Sequence, residues 1–119
     1  MKKTVVIGAS ENPERYSNKA IRSLLQHQHP IIAIGNKVGV VEGVAISKEL
    51  ITASDVDTVT LYINPTLQAA YTDYILSLKP KRVVFNPGTE NPALEQLLKA
   101  HQIEPVAACT LVLLATGQY

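Results

Sequence analysis

Residues 4 to 17 read TVVIGASENPERYS, and this stretch decides the fold. Within Lys3 to Gly8 the chain is continuously apolar and largely β-branched, which is typical of a strand buried on both faces of a parallel sheet. A polar turn follows from Ala9 to Tyr16. Ser17 is then a candidate N-cap for a helix whose apolar stripe begins at Ile21. The stretch therefore predicts a strand–turn–helix unit.

The rest of the chain repeats this alternation. We predict further strands at residues 31–34, 44–46, 58–63, 82–85 and 103–107, the second of them an edge strand after a loop. Asn64-Pro65 and Asn91-Pro92 place Asn at the cap and Pro at the first position of two helices. Short helical turns are expected over 50–54 and 110–115. This order predicts an α/β, Rossmann-like, doubly wound and mainly parallel sheet of order 3-2-1-4-5, with strand one central and helices on both faces.

The composition indicates one domain spanning residues 1–119, with 46% hydrophobic and 18% charged residues. A net charge of +1 gives little general attraction to nucleic acid or to an acidic membrane. One cysteine, Cys109, has no disulfide partner within the chain, and no apolar run reaches the roughly 18 residues that span a bilayer. We expect a reduced, soluble, cytoplasmic protein.

The carboxyl ends of the strands are the predicted ligand face, because open α/β sheets bind ligands there. Three Asn-Pro pairs directly follow predicted strands one, four and five: Asn12-Pro13, Asn64-Pro65 and Asn86-Pro87. A single Asn-Pro pair is common in ordinary turns and helix caps. Three rigid pairs on one rim favour a shaped pocket.

The first loop, from Gly8 to Ser17, has the geometry that points backbone N–H groups and a helix dipole at a phosphate. Its ten residues exceed the roughly 2–6 of a usual connection, and we expect N–H groups near Ala9 and Ser10 and at the helix start to face a common point. The dinucleotide fingerprint G-x-G-x-x-G is absent, because positions 10 and 13 are Ser and Pro.

The second predicted strand ends in Gly35-Asn36-Lys37-Val38-Gly39. An NAD site needs an acidic residue here to accept from the ribose diol. Lys37 suits instead a ligand with an additional phosphate on its adenosine ribose, as in NADP and coenzyme A. The alternative interpretation, with equal weight, is that Lys37 is a solvated surface residue without a ligand.

Taken in order, these segments resemble a family, the small stand-alone coenzyme A-binding proteins, which are similar to the CoA-binding domain of the succinyl-CoA synthetase alpha subunit. The resemblance runs over nearly the whole chain and rests on order and spacing rather than on one specific motif. It is carried by Val6-Ile7-Gly8-Ala9-Ser10 with Pro13 and Ser17, by Ile34 to Gly39, by Val59 to Pro65, by Val83 to Gly88 and by Cys109.

The resemblance implies a site for coenzyme A or an acyl-CoA. In the family the pyrophosphate lies over the first turn, the lysine after strand two meets a phosphate, and the loop after strand four lines the pantetheine side. The residues expected to bind the cofactor are Gly8, Ala9, Ser10, Asn12, Pro13, Tyr16, Ser17, Asn36, Lys37, Asn64 and Pro65. The synthetase's phosphorylated histidine belongs to a second domain, so ligase activity is not implied. Position 113, often acidic in the family, is Leu here, which departs from the family's pattern at that end of the chain.

No nucleophile–base–acid set can be assembled on the predicted rim, so the chain is not read as an enzyme. Cys109, in an apolar stretch, is interpreted as a packing residue in preference to a thiol acting beside that of CoA. The three histidines fall at predicted helix ends and are interpreted as contacts to the last carbonyls. We predict no metal site.

Three functions are compatible with the sequence. The first is a non-catalytic or regulatory protein that binds CoA or acyl-CoA. The alternatives are an NADP-binding oxidoreductase-like domain and a ligand-free interaction module that dimerises through an exposed helix. In the first two cases the ligand is a small nucleotide. We expect no nucleic acid partner and no membrane partner, and the chain could form a homodimer.

Overall fold

The structure, a computed structural model, describes residues 1–119. Its elements follow in the order β1 (Thr4–Ile7), α1 (Tyr16–Gln26), β2 (Ile31–Ile34), β3 (Gly39–Val41), β4 (Val44–Ser47), β5 (Thr58–Leu61), α2 (Pro65–Gln68), α3 (Thr72–Leu78), β6 (Arg82–Phe85), α4 (Pro92–Ala100), β7 (Glu104–Ala107) and α5 (Thr110–Ala115). A 3₁₀ turn over Ala69–Tyr71 joins α2 to α3. None of the helices is long and apolar enough to cross a membrane.

All seven strands form one sheet in the order β3-β4-β2-β1-β5-β6-β7. Every neighbouring pair is parallel except β3 and β4, which are antiparallel. The predicted α/β class and mainly parallel sheet are confirmed. The predicted order 3-2-1-4-5 is matched in part: β1 lies between β2 and β5, but an additional strand forms the edge beyond β4.

That additional strand corrects the loop predicted between strands two and three. Residues 39–41 are β3, paired with β4 through a two-residue turn at Glu42 and Gly43. Both turn residues have positive φ, 49° and 83°, as the favoured two-residue hairpin turns require. Glu is an unusual residue for the first of these positions, which is why the sequence pattern did not indicate a hairpin.

The short helix predicted over 50–54 is wrong, because this segment has no regular structure. It is held instead by a side-chain contact: the Tyr74 hydroxyl on α3 donates to the Ile51 carbonyl at 2.6 Å. A few apolar residues at helical spacing were not sufficient to form a turn of helix here.

Side chains alternate across the sheet and bury two separate clusters. Val5 and Ile7 of β1 face one side, where α3 and α4 pack, and Val6 faces the other, where α1 and α5 pack. Both faces of β1 are therefore fully buried, as its continuous apolar sequence predicted. At the carboxyl end of β1 the second cluster continues into the first loop, where Ala9 is buried.

Candidate functional site

A cleft of about 790 Å³ opens at the carboxyl ends of the parallel strands. The segments that follow β1, β2, β5, β6 and β7 all contribute residues to its walls. Its volume falls within the roughly 300–1,000 Å³ typical of small-molecule sites. The cleft therefore lies where the sheet topology predicts a ligand.

The structure brings seven of the eleven predicted residues together in this cleft: Gly8, Ala9, Ser10, Tyr16, Ser17, Asn36 and Asn64. Asn12, Pro13, Lys37 and Pro65 do not line it. The Asn12 side chain accepts from Glu14 N at 3.0 Å within the first loop. Lys37 is exposed beside the cleft, and Pro65 lines a separate shallow groove.

The first loop presents its backbone N–H groups differently from our expectation. Those of Gly8 and Ala9 both donate to the Ile34 carbonyl at 2.9 Å, which joins the loop to the end of β2. The expectation that Ala9 N–H faces a ligand is therefore wrong. The N–H groups of Ser10, Tyr16 and Ser17 have no hydrogen-bond partner within the protein.

The start of α1 also differs from the prediction that Ser17 caps it. The N-cap residue is Arg15, which makes no capping hydrogen bond through its side chain, and Ser17 lies inside the first turn. The first N–H groups of a helix carry a partial positive charge. Because no side chain satisfies them, they are free to bind an anion in the cleft.

Buried amide side chains hold the loops of the cleft in place. Asn18, fully buried on α1, donates to the Ser10 carbonyl at 2.9 Å and fixes the first loop against the helix. Gln68, also fully buried, donates to the carbonyls of Ile63 and Thr89 at 2.9 and 2.7 Å. Neither residue was among those expected to shape the site, although Asn18 directly follows the first loop and Gln68 lies in the helix that Asn64 caps.

Asn86, at the end of β6, is the third of these amides and is 3% exposed. Its Nδ2 donates to Thr60 Oγ1 at 2.7 Å and to the Leu61 carbonyl at 2.8 Å, and its Oδ1 accepts from Thr110 N at 2.9 Å. One side chain thus joins the ends of β5 and β6 to the start of α5. Of the three Asn-Pro pairs, only Asn86-Pro87 has both of its residues in the lining of the cleft.

The two charged residues of the cleft lining lie at one end, whereas the other end combines most of the large apolar residues with Asn64, Asn86 and Thr89. Arg15 and Glu14 belong to its β1–β2 side, together with Ser10 and Asn36. The β5–β7 side carries the apolar residues Ile63, Leu67, Tyr71, Pro87 and Leu111. Arg15 was missed as a candidate cation because the helix was predicted to begin after Ser17, whereas it begins directly after Arg15. Such a division suits a ligand with phosphates at one end and an apolar chain at the other.

Tyr62 lines the cleft, and its buried hydroxyl lies near the hydroxyls of Thr60 and Thr110 without a hydrogen bond of normal geometry to either. Burial disfavours the phenolate and raises the pKa of Tyr62 to about 12. The hydroxyl therefore stays protonated near neutral pH. A buried hydroxyl without a partner carries an uncompensated desolvation cost.

We expect Tyr62→Phe to raise the free energy of unfolding by about 1 kcal/mol, because it removes that unpartnered hydroxyl and keeps the ring. Urea denaturation measures the change. Tyr74→Phe is the matched control, since it removes a hydroxyl that donates to the Ile51 carbonyl at 2.6 Å and should be destabilising. A loss of stability in both variants would contradict the prediction.

Cys109 is the N-cap residue of α5, is partly buried, and lines the cleft near Leu111. The histidines lie elsewhere: the Nδ1 atoms of His27 and His101 contact carbonyls in the last turns of α1 and α4 at 2.8 and 2.9 Å. His29 Nδ1 lies 3.0 Å from the donating Lys2 N, and burial lowers its pKa. None of the three histidines lines the cleft.

A family model described as a CoA binding domain matches residues 2–115 of the chain. The comparison with curated proteins found no match. The match covers all segments that contribute to the cleft, from the first loop to Leu111.

Solved structures include several with the same fold. A crystal structure of an uncharacterized protein is 51% identical, with a TM-score of 0.98 over 100% of this chain and 98% of that one. A hypothetical protein from Pyrococcus horikoshii OT3 is 26% identical, with a TM-score of 0.85 over 93% of this chain and 80% of that one. An acetyl-coenzyme A synthetase from Candidatus Korarchaeum cryptofilum, in complex with phosphate and ADP, is 15% identical, with a TM-score of 0.70 over 89% of this chain and 25% of its own; it shows the fold alone.

Proposed function

Because this chain belongs to the CoA-binding domain family, we propose that it binds coenzyme A or an acyl-CoA in the cleft at the carboxyl ends of its strands. We propose further that residues 1–119 act as a single binding domain with a non-catalytic or regulatory role. The ligand is a small nucleotide, held mainly by the loop after β1 and the residues that follow β2 and β5.

The observation that carries the proposal is the unsatisfied start of α1 inside the cleft. The N–H groups of Tyr16 and Ser17 and that of Ser10 have no partner within the protein. Helix N-termini with free N–H groups bind phosphate. The pyrophosphate of CoA supplies the acceptors that these donors lack, and Arg15 adds a cation at the same end.

The apolar end of the cleft supports CoA over a dinucleotide. Leu67 is 54% exposed and lines the cleft together with Ile63 and Tyr71, so these side chains offer an apolar wall along the segment after β5. A pantetheine arm, with or without a short acyl group, covers such a wall better than a second charged nucleotide. Tyr16, 66% exposed at the opposite side, is placed to stack on an adenine or to cover the arm.

The proposed non-catalytic role is supported by the character of the lining. Its titratable groups are one carboxylate, one guanidinium, three phenols and one thiol, namely Glu14, Arg15, Tyr16, Tyr62, Tyr71 and Cys109. Among these, only the thiol is a strong nucleophile, and no histidine lines the cleft to act as its base.

Thermal unfolding in the presence of CoA, acetyl-CoA, NADP, NAD and ATP tests the proposal. We expect CoA and acetyl-CoA to raise the melting temperature, because a ligand that binds only the folded state stabilises it by about 2.7 kcal/mol at 100 times its Kd. A shift with NADP but not with CoA would favour the oxidoreductase-like alternative. No shift with any of the five would favour the interaction module.

A further inference from the structure

Glu11, at the tip of the first loop, is bonded to the backbone of the edge strand. Its Oε2 accepts from Val40 N at 2.9 Å. Strand β3 pairs with β4 in the antiparallel register Gly39–Ile46, Val40–Ala45 and Val41–Val44, in which N–H groups point alternately toward and away from the partner strand. The N–H of Val40 is the one that Glu11 satisfies, so the carboxylate links the β1–α1 loop to the hairpin.

Gly39 makes room for this contact. A Cβ at position 39 would lie 2.4 Å from both Cγ and Cδ of Glu11 and 2.8 Å from its Oε1. The φ of Gly39 is not in the left-handed region, so its backbone conformation does not require glycine. Space for the Glu11 side chain is the reason for a glycine at this position.

The contact bears on the ligand site because of what lies between β2 and β3. Asn36, which lines the cleft, and Lys37 belong to the short connection from Ile34 to Gly39. At one end this connection follows β2, whose Ile34 carbonyl accepts from Gly8 and Ala9. At its other end the first loop reaches it again through Glu11. The connection is thus tied to the first loop on both sides.

We propose that Glu11 is a positioning residue for ligand binding, which fixes the Asn36–Lys37 segment against the first loop by holding Val40. The inference rests on the proposed function, since it concerns the same cleft. Glu11 does not line the cleft itself. It acts through the segment that carries Asn36, which lines the cleft, and Lys37, which lies beside it.

The coupling between Glu11 and Gly39 is tested first by stability alone. Gly39→Ala should lower the melting temperature by no more than Glu11→Ala does, because the added methyl group displaces the flexible Glu11 side chain and breaks its bond to Val40 N. In the Glu11→Ala background the same substitution should have almost no effect, since the clashing atoms are gone. Thermal unfolding of the four proteins in this double-mutant cycle measures the coupling. Equal shifts in the two backgrounds would overturn the contact on which the inference depends.

The effect on the ligand is then measured by calorimetric titration with CoA and dephospho-CoA. Glu11→Ala should weaken CoA binding about tenfold, close to the loss of one charge-assisted hydrogen bond, with a smaller loss for dephospho-CoA if Lys37 meets the ribose phosphate. Glu11→Gln keeps an oxygen acceptor for Val40 N–H and should stay within about threefold of wild type. Glu42→Ala, which removes a carboxylate paired with Arg22 at the turn of the same hairpin, is the matched control and should leave the affinity unchanged.

The outcomes separate this inference from the proposed function. If the wild-type protein binds no CoA, the proposed function fails and the positioning role fails with it. If the wild type binds and Glu11→Ala binds equally well, the positioning role alone is overturned. If Glu11→Gln loses as much affinity as Glu11→Ala while both fold stably, the negative charge and not the bond to Val40 is what matters, which also contradicts the proposal.

Discussion

Asn86→Ala is expected to lower the free energy of unfolding by about 3 kcal/mol or more. The substitution removes the amide that pairs with Thr60 Oγ1, the Leu61 carbonyl and Thr110 N. All three groups are in a buried region, since Thr60, Leu61 and Thr110 are themselves fully buried. Thr60 Oγ1 keeps its hydrogen bond to Thr110 Oγ1 at 2.8 Å, whereas the Leu61 carbonyl and Thr110 N lose the bond to Asn86. A buried polar group left without a partner costs about 1–3 kcal/mol.

Urea denaturation of Asn86→Ala measures the loss, and Asn64→Ala provides the matched control. Asn64 is also an Asn followed by Pro, and its side chain accepts from Leu67 N at 3.0 Å as the cap of α2. Loss of a helix cap typically costs about 1 kcal/mol. Similar losses in the two variants would show that Asn86 is only a turn residue. A larger loss at Asn86 supports its role in joining three connections of the rim.

The fold was largely predictable because its strands are short continuous apolar runs punctuated by Asn, Pro and Gly. β2, β6 and α5 lie at the predicted positions, and Asn64 and Asn91 cap α2 and α4 as expected. Each of these signals depends only on a few neighbouring residues, so it can be recognised from the sequence alone. The β3–β4 hairpin was missed because no local pattern indicates it. Glu42 adopts a positive φ in the turn because β3 pairs with β4, and Glu is not a residue that favours this conformation by itself.

The location of the candidate site was predictable, whereas its detailed contacts were not. Topology places the loops after β1, β2 and β5 on one rim whatever their side chains do. The amides of Gln68 and Asn86 act over separations of 21 to 26 residues, which no local pattern reveals. Local patterns also do not show which cation reaches the cleft. Arg15 lines it and Lys37 lies beside it, because the path of each exposed loop decides which side chain faces inward.

Gly35→Ala is the second substitution with a large expected effect, and we expect it to weaken CoA binding by at least about a hundredfold, or 2.7 kcal/mol. A Cβ at position 35 would lie 2.5 Å from the Ala9 carbonyl oxygen and 2.9 Å from Ile46 Cγ2. The nearer atom belongs to the backbone and cannot rotate away. Ala9 N–H is bonded to the Ile34 carbonyl, so relief requires the first loop to move off β2.

Such a movement displaces the groups proposed to bind phosphate, because Ser10 follows Ala9 directly and is tied to α1 through Asn18. Calorimetric titration with CoA measures the loss of affinity, and urea denaturation confirms that the variant remains folded. Gly43→Ala is the control: this glycine has a φ of 83° and no atom within 4 Å of an added Cβ, so its substitution costs roughly 1–2 kcal/mol of backbone strain without moving the loop. If Gly35→Ala binds CoA as well as Gly43→Ala does, the close approach of the first loop to β2 is not what shapes the phosphate end of the cleft.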